Sequence, residues 1–307
     1  MNPQMSVKGK VTLTMLLPVV AIIGLVYFSD IAQVAEVATE LTFPVFSMIV
    51  IISFLRPIIG GIRSSYAYSP IGKLRISDAA KGYSLSAYGG IFLPSSIGGD
   101  VFRIEHMKNC TNSTRKEAFL VASIERISGL LSLILMTICV SFLDLPFSIS
   151  FNWIYVILIT IIVFIMSALF FVKKMKTNSV IRKTVEYIQN YASPKLLAGV
   201  FFLTILFQCV SLSIPALVAW SISGYETGCI VAVITPIVAL VASLPISVGG
   251  IGIREAGYVG FGTLLGVDSD ILLISGLSLS ASIILSGLPG IWLQNELIST
   301  NVDTEGE

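Results

Sequence analysis

The sequence predicts an all-α fold: a polytopic transmembrane helical bundle of about seven to nine membrane segments, two of them broken or re-entrant. Three observations predict it. Hydrophobic residues fill 55% of 307 positions and charged residues only 12%, against about 25% charged in a soluble domain, and mean hydropathy is +0.90. Long apolar runs recur along the whole chain. An eleven-residue pattern also occurs twice, Leu93-Pro94-Ser95-Ser96-Ile97-Gly98-Gly99-Asp100-Val101-Phe102-Arg103 and, 151 positions later, Leu244-Pro245-Ile246-Ser247-Val248-Gly249-Gly250-Ile251-Gly252-Ile253-Arg254.

The elements follow in order. Residues 11–28 come after Lys8 and Lys10 and read as an uncleaved first span; small residues near Ala35 allow a signal peptide, but the run exceeds a usual signal core. The runs 42–62, 118–142, 152–172, 196–222, 228–248 and 271–293 each suffice to cross a bilayer. Two shorter stretches, 82–97 and 256–267, are ambiguous. Helices are required because lipid offers no partners to exposed backbone groups. The reading is one membrane domain over 1–307, with a core of 11–293, no soluble domain and a disordered acidic tail at 294–307.

Lysine and arginine set the expected orientation. Residues 63–81 carry Arg63, Lys73, Arg75 and Lys81; residues 98–117 carry Arg103, Lys108, Arg115 and Lys116; residues 173–195 are also basic. The intervening 29–41 and 143–151 segments have none. This places the N-terminus and the three basic segments in the cytoplasm of a cell membrane. Since basic segments flank 82–97 on both sides, that stretch enters and leaves on one face, as a re-entrant segment does. The second copy differs, because 228–248 is long and oily enough to span. Net charge is +1, which excludes a nucleic-acid binder. A single histidine, His106, and four scattered cysteines leave no metal or disulfide framework, and no cofactor is expected.

Each copy of the repeat combines a helix breaker (Pro94, Pro245) with glycines that permit close approach (Gly98, Gly99, Gly249, Gly250) and an arginine (Arg103, Arg254). Amides freed at a new helix start favour phosphate. Asp100 precedes its arginine by one turn and Glu255 follows its own directly. Glu125-Arg126 lies eight to nine residues into an apolar run; charges at that depth face a polar cavity or a partner. Asp100, Arg103, Arg254 and Glu255 are the candidate partners, and these six charged residues with the six breakers form the expected substrate site. Arg56 is expected to snorkel to the surface, and Gln208 to bond a neighbouring helix. Asp268-Ser269-Asp270 has a metal-holding spacing but sits in a short turn.

These residues, taken together, resemble the membrane domain of lysylphosphatidylglycerol synthases of the multiple peptide resistance factor type and their free-standing flippase-like relatives. The resemblance rests on Leu93-Pro94, Gly98-Gly99-Asp100, Arg103, Glu125-Arg126, Leu244-Pro245, Gly249-Gly250, Gly252 and Arg254-Glu255, and runs from about residue 40 to 293. It implies movement of a lipid between leaflets, without the aminoacyl transfer of the separate soluble domain. By family analogy the cargo is a membrane lipid or a polyprenyl-linked sugar, with a synthase or glycosyltransferase as a possible partner.

Three readings follow. In the first, the chain is a lipid translocase in which Arg103, Arg126 and Arg254 meet phosphate while Asp100, Glu125 and Glu255 balance them. In the second it is a membrane-embedded transferase using Asp100 or Glu255 as a base. The third is an accessory scaffold in glycan or lipid assembly.

Overall fold

The computed structural model describes residues 36–92, 99–111, 113–141, 193–243 and 250–293. The expected runs 11–28 and 152–172, the acidic tail, and the break residues Pro94, Gly98, Pro245 and Gly249 lie outside the described residues. Eight main helices are found: α1 (Phe43–Tyr68), α2 (Ile76–Phe92), α3 (Asp100–Thr111), α4 (Arg115–Ser141), α5 (Pro194–Ser223), α6 (Tyr225–Ala242), α7 (Ile253–Thr263) and α8 (Ser269–Gly287). The described residues contain helix and no strand, so the chain is an all-α polytopic bundle. Helix boundaries follow local chemistry. Ser193 accepts from the Leu196 amide at 3.2 Å with Pro194 at the first helical position of α5. Asp268 accepts from the Asp270 amide at 2.9 Å and starts α8, which is the work of the Asp-Ser-Asp triplet.

Five segments are long and apolar enough to cross a bilayer: Phe43–Tyr68, Arg115–Val140, Pro194–Ser223, Tyr225–Ala242 and Ser269–Leu293. Large apolar side chains such as Phe43, Ile51, Phe202 and Leu206 point outward, as lipid-facing positions do.

The segment flanking the first break is a helical hairpin. His106 Nε2 lies 3.0 Å from the Asp78 carbonyl, Ser86 donates to Asp100 at 3.0 Å, and Gly72 lies beside Thr111. α2 therefore goes in and α3 comes back to the same end, as the basic flanks predict. The expected basic segment 98–117 is a different matter, since most of it is α3, with Asp100, Arg103 and His106 buried. At the second copy α6 is long enough to span, and α7 returns along it: Tyr258 donates to Thr235 at 3.0 Å and Gly257 sits against Val238. Each copy thus lies, in chain order, between the two helices of an antiparallel hairpin. The expected span therefore stands in α6, which is long and apolar enough to cross a bilayer while also being packed among protein helices.

The two hairpins open at opposite ends of the bundle. Tyr68, Leu74, Met107, Val121 and Val200 form one core where α1 ends, hairpin α2–α3 opens, and α4 and α5 begin. Ala219, Ile230, Tyr258, Val267 and Leu272 form the other, where α5 ends, hairpin α6–α7 opens, and α8 begins. Lys73, Arg75, Lys108, Arg115 and Lys116 gather at the first end, where Glu105 clamps Lys108 and Arg115 at 2.9 and 2.7 Å.

In a cysteine-free background reconstituted in sealed vesicles, Lys73→Cys and Thr114→Cys are expected to react with an impermeant maleimide from one side, and Glu226→Cys and Leu264→Cys from the other. Labelling of all four from a single side would overturn the opposed-hairpin arrangement.

Candidate functional site

Seven of the eight helices send side chains to one cavity of about 360 Å³, a size within the ~300–1,000 Å³ of ligand pockets. Arg56 and Arg63 come from α1, Tyr83 and Ser86 from α2, Asp100 and Arg103 from α3, Arg126 and Leu133 from α4, Phe207 and Gln208 from α5, and Ser280 and Ile283 from α8. Arg254, in the first turn of α7, completes the wall.

Glu125 organises the first half of the site. Its side chain is 1% exposed. One oxygen accepts from Ser64 of α1 at 2.5 Å, with Arg63 Nε at 3.6 Å. The other lies 2.7 Å from Arg103 Nη1 of α3 and accepts from Tyr83 of α2 at 3.3 Å. Arg63 in turn donates to the Tyr83 hydroxyl and, through a second nitrogen, to Thr204 of α5 at 3.3 Å. The Arg103 guanidinium lies 4.7 Å from the Tyr83 ring centroid and that of Arg63 5.0 Å from Phe207, both within cation–π reach. Asp100 joins the network to Arg126, whose Nε donates to it at 2.6 Å, and sits 3.5 Å from Arg103 Nε.

Gly99 makes this possible. A Cβ at that position would stand 2.0 Å from the Ser86 carbonyl oxygen, so only glycine lets α3 begin flush against α2 and place Asp100 beside Ser86.

The second half uses hydroxyls where the first uses ion pairs. Arg254 Nη1 donates to Ser280 at 2.6 Å, and Ser280 donates to Glu255. The other oxygen of Glu255 accepts from the Gly252 amide at 2.6 Å and caps α7. Gly250, at φ 80°, sits under the Arg254 guanidinium, which a Cβ would meet at 2.7 Å. Glu255 is thus a buried cap behind the cavity. The Arg254-Glu255 pair, 7% and 2% exposed, is no surface loop.

The structure therefore brings Asp100, Arg103, Glu125, Arg126 and Arg254 together around one space, with Gly99, Gly250 and Glu255 in support. Two expectations are corrected. Arg56 does not snorkel outward: it lines the cavity, 3.4 Å from Ser282. Gln208 lines the same space and makes no side-chain hydrogen bond to a neighbouring helix among the described residues. Arg63, Tyr83, Thr204 and Ser280 escaped sequence reasoning altogether. Arg63 was readable only as one more basic loop residue, since nothing in the chain signals that α1 continues to Tyr68.

Compared with protein-family models, residues 15–289 match the one described as lysylphosphatidylglycerol synthase TM region. No curated protein and no solved structure gives a significant match.

Glu125→Gln leaves two buried guanidiniums without their carboxylate and is expected to cost about 3–5 kcal/mol of stability. Lys108→Ala, which breaks a partly exposed pair, should cost under about 1 kcal/mol. Thermal unfolding of the detergent-purified variants checks the contrast, and equal midpoints would remove Glu125 as the organising group.

Proposed function

The chain belongs to the lysylphosphatidylglycerol synthase transmembrane-region family, a membrane family tied to lipid handling, and on that premise we propose that it is a lipid translocase. It moves the anionic headgroup of a membrane or polyprenyl-linked lipid between leaflets through the central cavity. The observation that carries the reading is the meeting of five arginines (Arg56, Arg63, Arg103, Arg126, Arg254) at one cavity between two hairpins that open at opposite ends.

The helix order supports it. α1–α4 and α5–α8 follow the same plan of long helix, hairpin and long helix. The 151-residue offset that relates Arg103 to Arg254 also relates Ala79 to Ile230, Met107 to Tyr258 and Val121 to Leu272 in the two cores. We read the halves as an inverted repeat, the arrangement in which transporters place a site near the bilayer midplane and expose it alternately to each side. The basic end faces the cytoplasm of the cell membrane on this reading.

The transferase reading draws no such support. Both oxygens of Asp100 are engaged, by Ser86 and Arg126, and both oxygens of Glu255 are engaged by Ser280 and the Gly252 amide. Contacts of this kind fix each carboxylate in a structural role within the wall rather than aiming it at a substrate proton.

Arg126→Ala and Arg254→Ala each remove a cavity-facing cation, and each is expected to lower headgroup flux in proteoliposomes by about tenfold or more, given ~2–5 kcal/mol for losing one member of a buried charge contact. Flux unchanged in both variants would sink the translocase reading.

A further inference from the structure

The charges around the cavity fall into two clusters. In the first, Arg63, Arg103 and Arg126 are linked by ion pairs to Asp100 and Glu125, three cations against two anions. In the second, Arg56 and Arg254 face the same cavity, each beside a serine of α8, and Arg254 is tied to Glu255. Arg56 reaches Ser282, Arg254 reaches Ser280, and Ser280 bonds Glu255, two cations against one anion. Among the described residues, each cluster thus counts one more cation than acid.

Arg56 shows where the second excess lies. It has no carboxylate partner among the described residues, and its Nε is buried with no hydrogen-bond acceptor. A buried cation left in this state is costly unless an anion completes it. Ser282, its one hydrogen-bonding neighbour, is itself taken by Ser53 at 2.9 Å.

We infer that the cavity takes a headgroup carrying two separate negative charges of the diphosphate class, one phosphoryl group completing the Arg126 cluster and the other the Arg56–Arg254 cluster. This inference rests on the translocase reading for its biological sense, but its test is a binding measurement. A headgroup with a compensating ammonium would leave one cluster short of an anion, so aminoacylated phospholipids are poor fits. A single phosphomonoester completes one cluster at a time. The apolar walls at Leu133 and Ile283 suit the adjoining lipid chain.

The full chain in detergent is titrated with inorganic phosphate, inorganic pyrophosphate, farnesyl phosphate and farnesyl diphosphate, with lysylphosphatidylglycerol micelles as a competitor. Each diphosphate is expected to bind about tenfold or more tightly than its monophosphate. Arg56→Met should erase that advantage while leaving the empty protein at least as heat-stable as the parent, because it removes an uncompensated cation; Arg115→Gln, on the surface, should change neither. Farnesyl diphosphate binding more tightly than pyrophosphate identifies a lipid as the source. Equal binding keeps the dianion inference but counts against lipid translocation. Monophosphate binding as tight as diphosphate, strong competition by lysylphosphatidylglycerol, or an unfolded Arg56→Met protein would each overturn the inference. Flux without diphosphate preference would overturn it while leaving the translocase standing.

Discussion

One buried carboxylate holds the first half of this protein together. Glu125 lies on α4 and touches Ser64 of α1, Tyr83 of α2 and Arg103 of α3. None of those groups could remain in an apolar bundle alone, because each would carry an unmet charge or hydrogen bond. Together they form a closed network whose geometry fixes where hairpin α2–α3 stops. Asp100 at the start of α3 and Arg126 on α4 are held in place by this electrostatic network as well as by apolar packing. Hydrophobic matching sets which segments enter the membrane, whereas the Glu125 network sets how they meet.

The two halves solve one packing problem with different chemistry. On the inverted-repeat reading, the 151-residue offset pairs Arg103 with Arg254 but Glu125 with Gly276. That glycine lies against the Glu255 backbone and Tyr258, where a Cβ would meet both at a tight 3.1 Å. The second half thus gives up the hub carboxylate on its long helix and carries its acid on the hairpin instead, beside the arginine it serves. The result is a cavity with two unequal walls, one rigid and ion-paired, the other built from serine hydroxyls. Hydroxyls exchange hydrogen-bond partners at less cost than buried ion pairs, so the α7–α8 wall is the more readily rearranged of the two.

Much of this was legible in the chain. Composition required a membrane bundle, and five of the expected spans reappear with ends shifted by a few residues. Asp100, Arg103, Glu125, Arg126 and Arg254 stood out because ionised side chains in apolar runs need partners, and the cavity supplies them. Arg56, Arg63 and Tyr83 did not stand out. An arginine near a run end looks the same whether it turns toward headgroups or inward, and a tyrosine in a Gly- and Ser-rich helix carries no mark of the carboxylate it will meet.

The sequence by itself determined that the chain is a helical membrane protein, that its Leu-Pro-x-Ser-x-Gly-Gly-x-x-x-Arg pattern recurs, and that a handful of charges must find one another out of lipid. Hydropathy and charge are properties of single segments, so they can be read segment by segment. Only the tertiary structure decided that the helices flanking each copy pair as a hairpin, that these hairpins open toward opposite ends, and that five arginines share one cavity. Those facts depend on which faces of distant helices meet. The oily surface of α6 reads alike against lipid and against protein, and only packing tells the two apart.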